Sequence, residues 1–198
     1  MAHAEDEIRA KATILLADLA SIGPIETENS SSPSSSSSSG SGAIDAIYRN
    51  IPPLLASQKE HVLVHATNFI RVLAIRKREN QNRIARLDGV LDRIVAFLSF
   101  EDSPMLRSTA AGALAALAAD HADNQKAIVV EAGAVSPLVL MLRLSGGAGD
   151  KSKTMAMQMQ AASAIRNVAK GNPECQKIVI EKEAPKHLIR LMKVRMRI

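Results

Sequence analysis

The sequence predicts an all-α solenoid, a stack of helical repeats with no sheet. Three observations predict it. One stretch is written three times, as NQNRIARLDGVLDRIVAFL from Asn80, NQKAIVVEAGAVSPLVLML from Asn124 and ECQKIVIEKEAPKHLIRLM from Glu174. Each copy follows a small, Ala-rich helical phrase: HATNFIRVLA from His65, TAAGALAALA from Thr109 and QAASAIRNVA from Gln160. The copies are spaced by 44 and then 50 residues, a period that belongs to helical units stacked on one another. Such units cannot bury their apolar faces alone, so function is expected on an extended surface rather than in a pocket.

In chain order, Glu5 to Ala20 opens with acids and carries Ile8, Ala12, Leu15, Leu16 and Leu19 at helical spacing. Gly23-Pro24 stops it. Asn29 to Gly42 is a serine tract that has nothing to bury, and it reads as a disordered loop. Helical pattern resumes at Ala43, with Pro52-Pro53 expected to kink or break the first helix. Gly23, Gly89, Gly133 and Gly171 fall at joints where a left-handed backbone is often needed. Ser103-Pro104 and Asn172-Pro173 mark helix starts, with proline in the first turn. Ser145 to Thr154 is Gly-rich and reads as a second loop that lengthens the second spacing. The resulting division is a helical piece at 1–28, the loop at 29–42, repeats at 43–194 and a basic tail at 195–198.

Composition agrees. The chain has no Trp, one Tyr (Tyr48) and three Phe (Phe69, Phe97, Phe100), so its core is Leu, Ile, Val, Ala and Met. That suits closely packed helices and argues against a β-sandwich. A net charge of +5 over 198 residues is no nucleic-acid signature, and the basic runs lack interleaved aromatics for base stacking. The single Cys175 lies in an apolar-periodic run and reads as a buried thiol in a reducing compartment. The acidic start lacks the basic and apolar regions of a signal peptide, and Ala2 stands where myristoylation needs glycine. The longest apolar run, Ala127 to Leu144, is interrupted by Glu131, Gly133 and Pro137, so no membrane insertion is expected. Cytoplasm or nucleus is the expected location.

Other constellations carry little chemistry. His61 and His65 share a helical face, but no third or fourth ligand accompanies them, so neither metal nor cofactor is expected. Met155, Met157 and Met159 alternate, so only Met155 and Met159 share a helix face; they read as core packing, the alternative being an adaptable binding surface of exposed thioethers. Gly146 to Ser152 lacks the spacing of a phosphate loop. No nucleophile–base or paired-carboxylate arrangement stands out, so no enzyme is expected.

The repeated phrases resemble the armadillo-repeat family. NQKAIVVEAG looks like its short first helix, AVSPLVLMLRL like its second and AASAIRNVAKG like its longer third. The match is close over Asn124 to Met192, fair for Asn80 to Ser99 and weaker before, where ILLADLA looks like a degenerate third helix. The resemblance implies an armadillo-like solenoid of three to four stacked three-helix repeats, the terminal ones incomplete. It also implies a concave groove, lined by third helices, that grips extended peptides.

Importin-α-like members place a Trp, and four residues later an Asn, on each third helix. Those positions here are Ile14, Asn68, Gly112 and Ser163 for Trp, and Asp18, Val72, Ala116 and Asn167 for Asn. Only Asn167 matches, so the groove is not expected to be importin-α-like. The groove candidates are Asn68, Arg71, Arg107, Gly112, Ser163, Arg166 and Asn167. The arginines offer planar donors suited to carboxylates or phosphates; the expected partner is a protein or peptide, an acidic one among the options, and no nucleic acid. The reading is a non-catalytic protein-interaction scaffold. The alternative is a fragment or adaptor of a larger armadillo-containing ubiquitin ligase or vacuolar-adaptor-like scaffold. The end, HLIRLMKVRMRI, matches a second helix with no third helix to cover it, which suggests either a longer array or self-association through that surface.

Overall fold

A computed structural model describes residues 39–144 and 151–195. The 1–28 piece, most of the serine tract and the glycines of the second loop lie outside them. The described residues form helices and no strand. In order these are α1 (Ser39–Leu55), α2 (Glu60–Ala74), α3 (Arg78–Ala85), α4 (Val90–Phe97), α5 (Pro104–Ala118), α6 (Ala122–Lys126), α7 (Val135–Arg143), α8 (Lys151–Ala169), α9 (Pro173–Glu181) and α10 (Ala184–Arg195). A π-helical turn, Ala127–Glu131, extends α6.

The elements repeat as short, middle and long helices. Two units are complete: α3, α4 and α5, then α6, α7 and α8. The pairs α1–α2 and α9–α10 flank them as partial units. The long third helices stack in a row, α5 packing most extensively on α2 on one side and α8 on the other. Small side chains permit this, since Ala110, Ala111, Ala113 and Ala118 are fully buried beside Leu106, Leu114 and Leu117.

Each unit turns twice through a left-handed residue, and the two places recur in register. Arg76, Asp120 and Gly171 follow the third helices with φ of 55°, 54° and 70°. Gly89, Gly133 and Glu183 separate first from second helices with φ of 67°, 67° and 57°. The glycines were expected there. The three non-glycine residues adopt the same conformation against their steric preference, because the repeat geometry fixes the turn.

Caps define the helix starts. Ser103 Oγ accepts from the Leu106 N–H at 3.0 Å, and Asn172 Oδ1 from the Cys175 N–H at 3.2 Å, as Ser-Pro and Asn-Pro predict. His121 caps α6 through Nδ1, while its Nε2 lies 2.6 Å from Asn82 Oδ1 on α3. The caps His121 and Asn172 are 51 residues apart, but Gly133 and Glu183 are 50 apart. The extra residue is taken up by the π turn, where the Ala132 N–H reaches back five residues to the Ala127 carbonyl at 2.9 Å. Consequently Asn124 corresponds to Cys175 at the cap, not to Glu174.

Buried carbonyls at the ends of third helices are satisfied by first-helix amides. Asn80 Nδ2 donates to the Leu73 carbonyl at 2.7 Å, and Asn124 Nδ2 to Leu117 at 3.0 Å, each closing the helix just before it. The next residue reaches forward. Gln81 donates to the Ala116 and Ala119 carbonyls at 2.8 and 3.2 Å, and Gln125 to Asn167 and Lys170 at 2.9 and 3.0 Å. One Asn-Gln pair therefore ties its first helix to the third helix of the unit before and to that of its own unit.

Several expectations are corrected. Pro52 and Pro53 lie inside α1, which runs on to Leu55. They occupy its last turn, so ring clashes and missing N–H groups disturb only the terminus, where the Ala56 N–H still bonds the Pro52 carbonyl at 3.1 Å. The first helix begins at Ser39, inside the serine tract. The second loop is shorter than expected, because Lys151 to Thr154 already belong to α8. Of Met155, Met157 and Met159 only Met157 is buried; Met155 and Met159 are 56% and 61% exposed, on the opposite face of α8.

Gln125→Ala should strand carbonyls at two helix ends. Urea denaturation should show a loss of about 1–3 kcal/mol, the cost of a buried polar group left unpaired. Burial, then the Arg78 charge, hold the His121 imidazole below its ordinary value of 6.5. Its neutral form is thus favoured by folding, and its contribution is complete above pH 6.5. That contribution falls as pH drops below this value, where the unfolded chain takes up the proton first. Stability measured from pH 7.5 to 5 should decline, and His121→Asn should flatten the decline.

Candidate functional site

The exposed side of the third-helix row is built from residues at helical spacing. On α5 the stripe is Met105, Ser108, Thr109, Gly112 and Ala116; on α2 it is His61, Val64, His65, Asn68, Arg71 and Val72. On α8 it runs Met155, Met159, Gln160, Ser163, Arg166 and Asn167. The centre is Gly112, mid-helix and buried. A Cβ there would lie 3.0 Å from Arg71 Cδ and 3.1 Å from Gln160 Oε1. Glycine inside a helix costs about 1 kcal/mol relative to alanine, and the space it leaves is filled by the arginine stem from the neighbouring helix.

Arg71 is held in place. Its Nε and one terminal nitrogen donate to Asn68 Oδ1 at 3.1 and 2.9 Å, one helical turn away. No carboxylate among the described residues pairs with it. A guanidinium fixed by a neutral partner keeps both its charge and its remaining donors for a ligand. Asn167 bridges the third helices differently, its Nδ2 donating to the Ala115 carbonyl on α5 at 2.8 Å. Ser163 is half-buried between Gln160 and Asn167 on the same stripe. Arg166 is exposed near the end of α8, close enough for its charge to lower the pKa of Asp120, after the larger effect of Lys170 at 2.6 Å.

Five of the sequence candidates, Asn68, Arg71, Gly112, Ser163 and Asn167, line this face, and Arg166 stands at its rim. Arg107 does not join them. It lies five residues before Gly112, about 140° around the helix, and is 8% exposed. Its Nε donates to the Leu98 carbonyl at 2.9 Å and so closes α4. Gln160 was missed, because a glutamine in a helix has no signal of its own until the facing glycine is located.

His61 and His65 also sit on the α2 stripe, and no group of three or more metal-ligating side chains occurs among the described residues. Cys175 is fully buried, and burial raises its thiol pKa, the opposite of nucleophile activation. An open cavity of about 480 Å³ lies away from this face, between α4 and α7, with Arg143 as its one charged lining residue. It offers fewer converging donors than the third-helix face.

Comparison with solved structures decides the fold family. A designed armadillo repeat protein in complex with the peptide (KR)4 superposes with a TM-score of 0.73 at 25% identity, covering 92% of this chain and 67% of that one. The chain is an armadillo-repeat protein. A second engineered protein matches with a TM-score of 0.73 at 26% identity, over 94% of this chain and 68% of its own. No family model matches the chain. Importin subunit alpha-1b of Oryza sativa subsp. japonica is 35% identical over 114 residues, 58% of this chain and 20% of the relative. Importin subunit alpha-6 of Arabidopsis thaliana is 28% identical over 146 residues, 74% of this chain and 25% of the relative. The chain thus spans about a fifth to a quarter of the curated relatives it matches. Its armadillo sequence is closer to importin α than the groove positions alone suggested. The Trp positions of that resemblance nevertheless hold Asn68, Gly112 and Ser163 in the described groove.

Gly112→Ala trades helix propensity against the Arg71 stem. The substitution should raise stability by about 1 kcal/mol in an Arg71→Ala background and by less in the native chain. A double-mutant cycle in urea measures the difference, which is the coupling between glycine and arginine.

Proposed function

We propose that this armadillo repeat is a non-catalytic interaction scaffold whose third-helix groove binds an extended peptide bearing carboxylate side chains. The observation that carries the proposal is Arg71, laid across Gly112, fixed by Asn68 and without an ionic partner among the described residues. Arg166 adds a second exposed cation on the next-but-one third helix. Asn167 supplies an amide on the stripe suited to a peptide backbone. The likeness to a designed armadillo protein with a bound peptide supports peptide recognition as the use of this fold. That peptide is basic, whereas the groove here offers arginines, so charge favours the opposite sign.

No single helix among the described residues is long and apolar enough to cross a membrane. The unpaired, buried Cys175 suits a reducing compartment, and we place the protein in the cytoplasm or nucleus.

Fluorescence anisotropy with labelled peptides tests this reading. A Glu-rich peptide should bind, and (KR)4 should bind more weakly. Hydrogen bonds to charged groups contribute about 1.5–3 kcal/mol, so Arg71→Ala should weaken the acidic peptide about 10- to 100-fold. Tighter binding of (KR)4, or no effect of Arg71→Ala, overturns the proposal.

A further inference from the structure

The third-helix face has two edges of different chemistry. Toward the helix N-termini, Met105, Met155 and Met159 are 64%, 56% and 61% exposed, and Val64 is half-buried beside that edge. Toward the C-termini stand Arg71 and Arg166. On α5 between them stand small groups, Ser108, Thr109 and Gly112, the last crossed by the Arg71 stem. Met159 and Arg166 are seven residues apart on one helix, two turns and about 10 Å.

Exposed methionines on an armadillo third helix are costly in water, and a cluster of large apolar groups at a surface marks an interaction site. Methionine is unbranched and polarisable, so such a row accepts apolar side chains of varied shape. A segment lying across the third helices between the two edges is addressed from both sides. In an extended strand successive side chains point in opposite directions. Only one pattern then satisfies both edges: apolar residues toward the methionines, alternating with acidic residues toward the arginines.

We infer that the occupant of the groove is an extended segment of a partner protein with alternating apolar and acidic residues, seated between the methionine edge and the arginine edge. The inference rests on the peptide-binding reading above and narrows it. Charge complementarity fixes one face of the segment, and the exposed methionines fix the other.

Three peptides of equal length separate the possibilities on the full chain by fluorescence anisotropy. One alternates Leu and Glu, one alternates Ser and Glu, and one has the first composition with Leu and Glu in separate blocks. The alternating Leu-Glu peptide should bind at least tenfold tighter than either other. Met105→Ser with Met159→Ser should erase that advantage, bringing the Leu-Glu affinity down to that of the Ser-Glu peptide; both side chains are exposed, and circular dichroism checks the fold. Equal binding of the Leu-Glu and Ser-Glu peptides, or an unaltered preference in the double variant, overturns this inference while the carboxylate reading stands. Equal binding of the block peptide overturns the alternation. Failure of every acidic peptide to bind overturns the carboxylate reading itself. Light scattering covers the remaining occupant: a dimer that the double variant converts to monomer assigns the methionine edge to a second copy of the chain and overturns the peptide inference.

Discussion

Each third helix ends between the first helix of its own unit and that of the next, and the carbonyls of its last turn must find donors there. A helix end leaves such groups without intrahelical partners, and burial makes their neglect expensive. The Asn-Gln pairs at Asn80-Gln81 and Asn124-Gln125 supply those donors. A carboxamide has two N–H donors on one nitrogen, enough to close one chain end and reach another. Gln125 does this most fully, donating to Ala118, Asn167 and Lys170 and so joining the ends of α5 and α8. Translation between units is thereby fixed along the helix axes, a direction in which apolar packing alone is permissive.

With the ends pinned, the spacing between third helices follows from side-chain size. Alanines bring α5 close to α2 and α8, and one glycine, Gly112, carries the approach far enough for an arginine stem to cross the helix. Arg71 therefore owes its position to two independent features, the Asn68 acceptor on its own helix and the missing Cβ on the next. Neither residue is unusual alone. The chemistry of the face arises from the register that the amide clamps set.

Repeat number, helix order and most joints were legible because they follow from local rules. Ala-rich phrases, Asn-Pro and Ser-Pro starts and the glycines at 89, 133 and 171 each have one dominant structural use. Other features were hidden because the array imposes them against local preference. Arg76, Asp120 and Glu183 take a glycine-like backbone, which no propensity announces. The π turn after α6 absorbs a residue, so an alignment by apolar pattern slips by one at the cap. Arg107 is on a third helix like Arg71 and Arg166, but it stands about 140° around α5 from Gly112 and serves the end of α4 instead. Alternation on a helix separates Met157 from Met155 and Met159, but which of the two faces is buried depends on the neighbouring helices, and it is the Met157 face.

The likeness to importin α and the different groove side chains have one explanation. In a solenoid the residues that stack units point inward or sit at the helix ends, while those that meet a ligand point outward from one stripe of each third helix. Buried positions such as Leu106, Leu114, Ile128 and Leu138 and the amide clamps constrain the fold. On the stripe bearing Asn68 and Ser163, two residues also serve the stacking: Gly112 admits the Arg71 stem, and the Asn167 amide bonds Ala115. A sequence can thus keep the armadillo frame in detail and still present Asn68, Gly112 and Ser163 where another member presents tryptophan. On the proposed reading, the frame fixes where a peptide lies and the stripe decides which peptide it is.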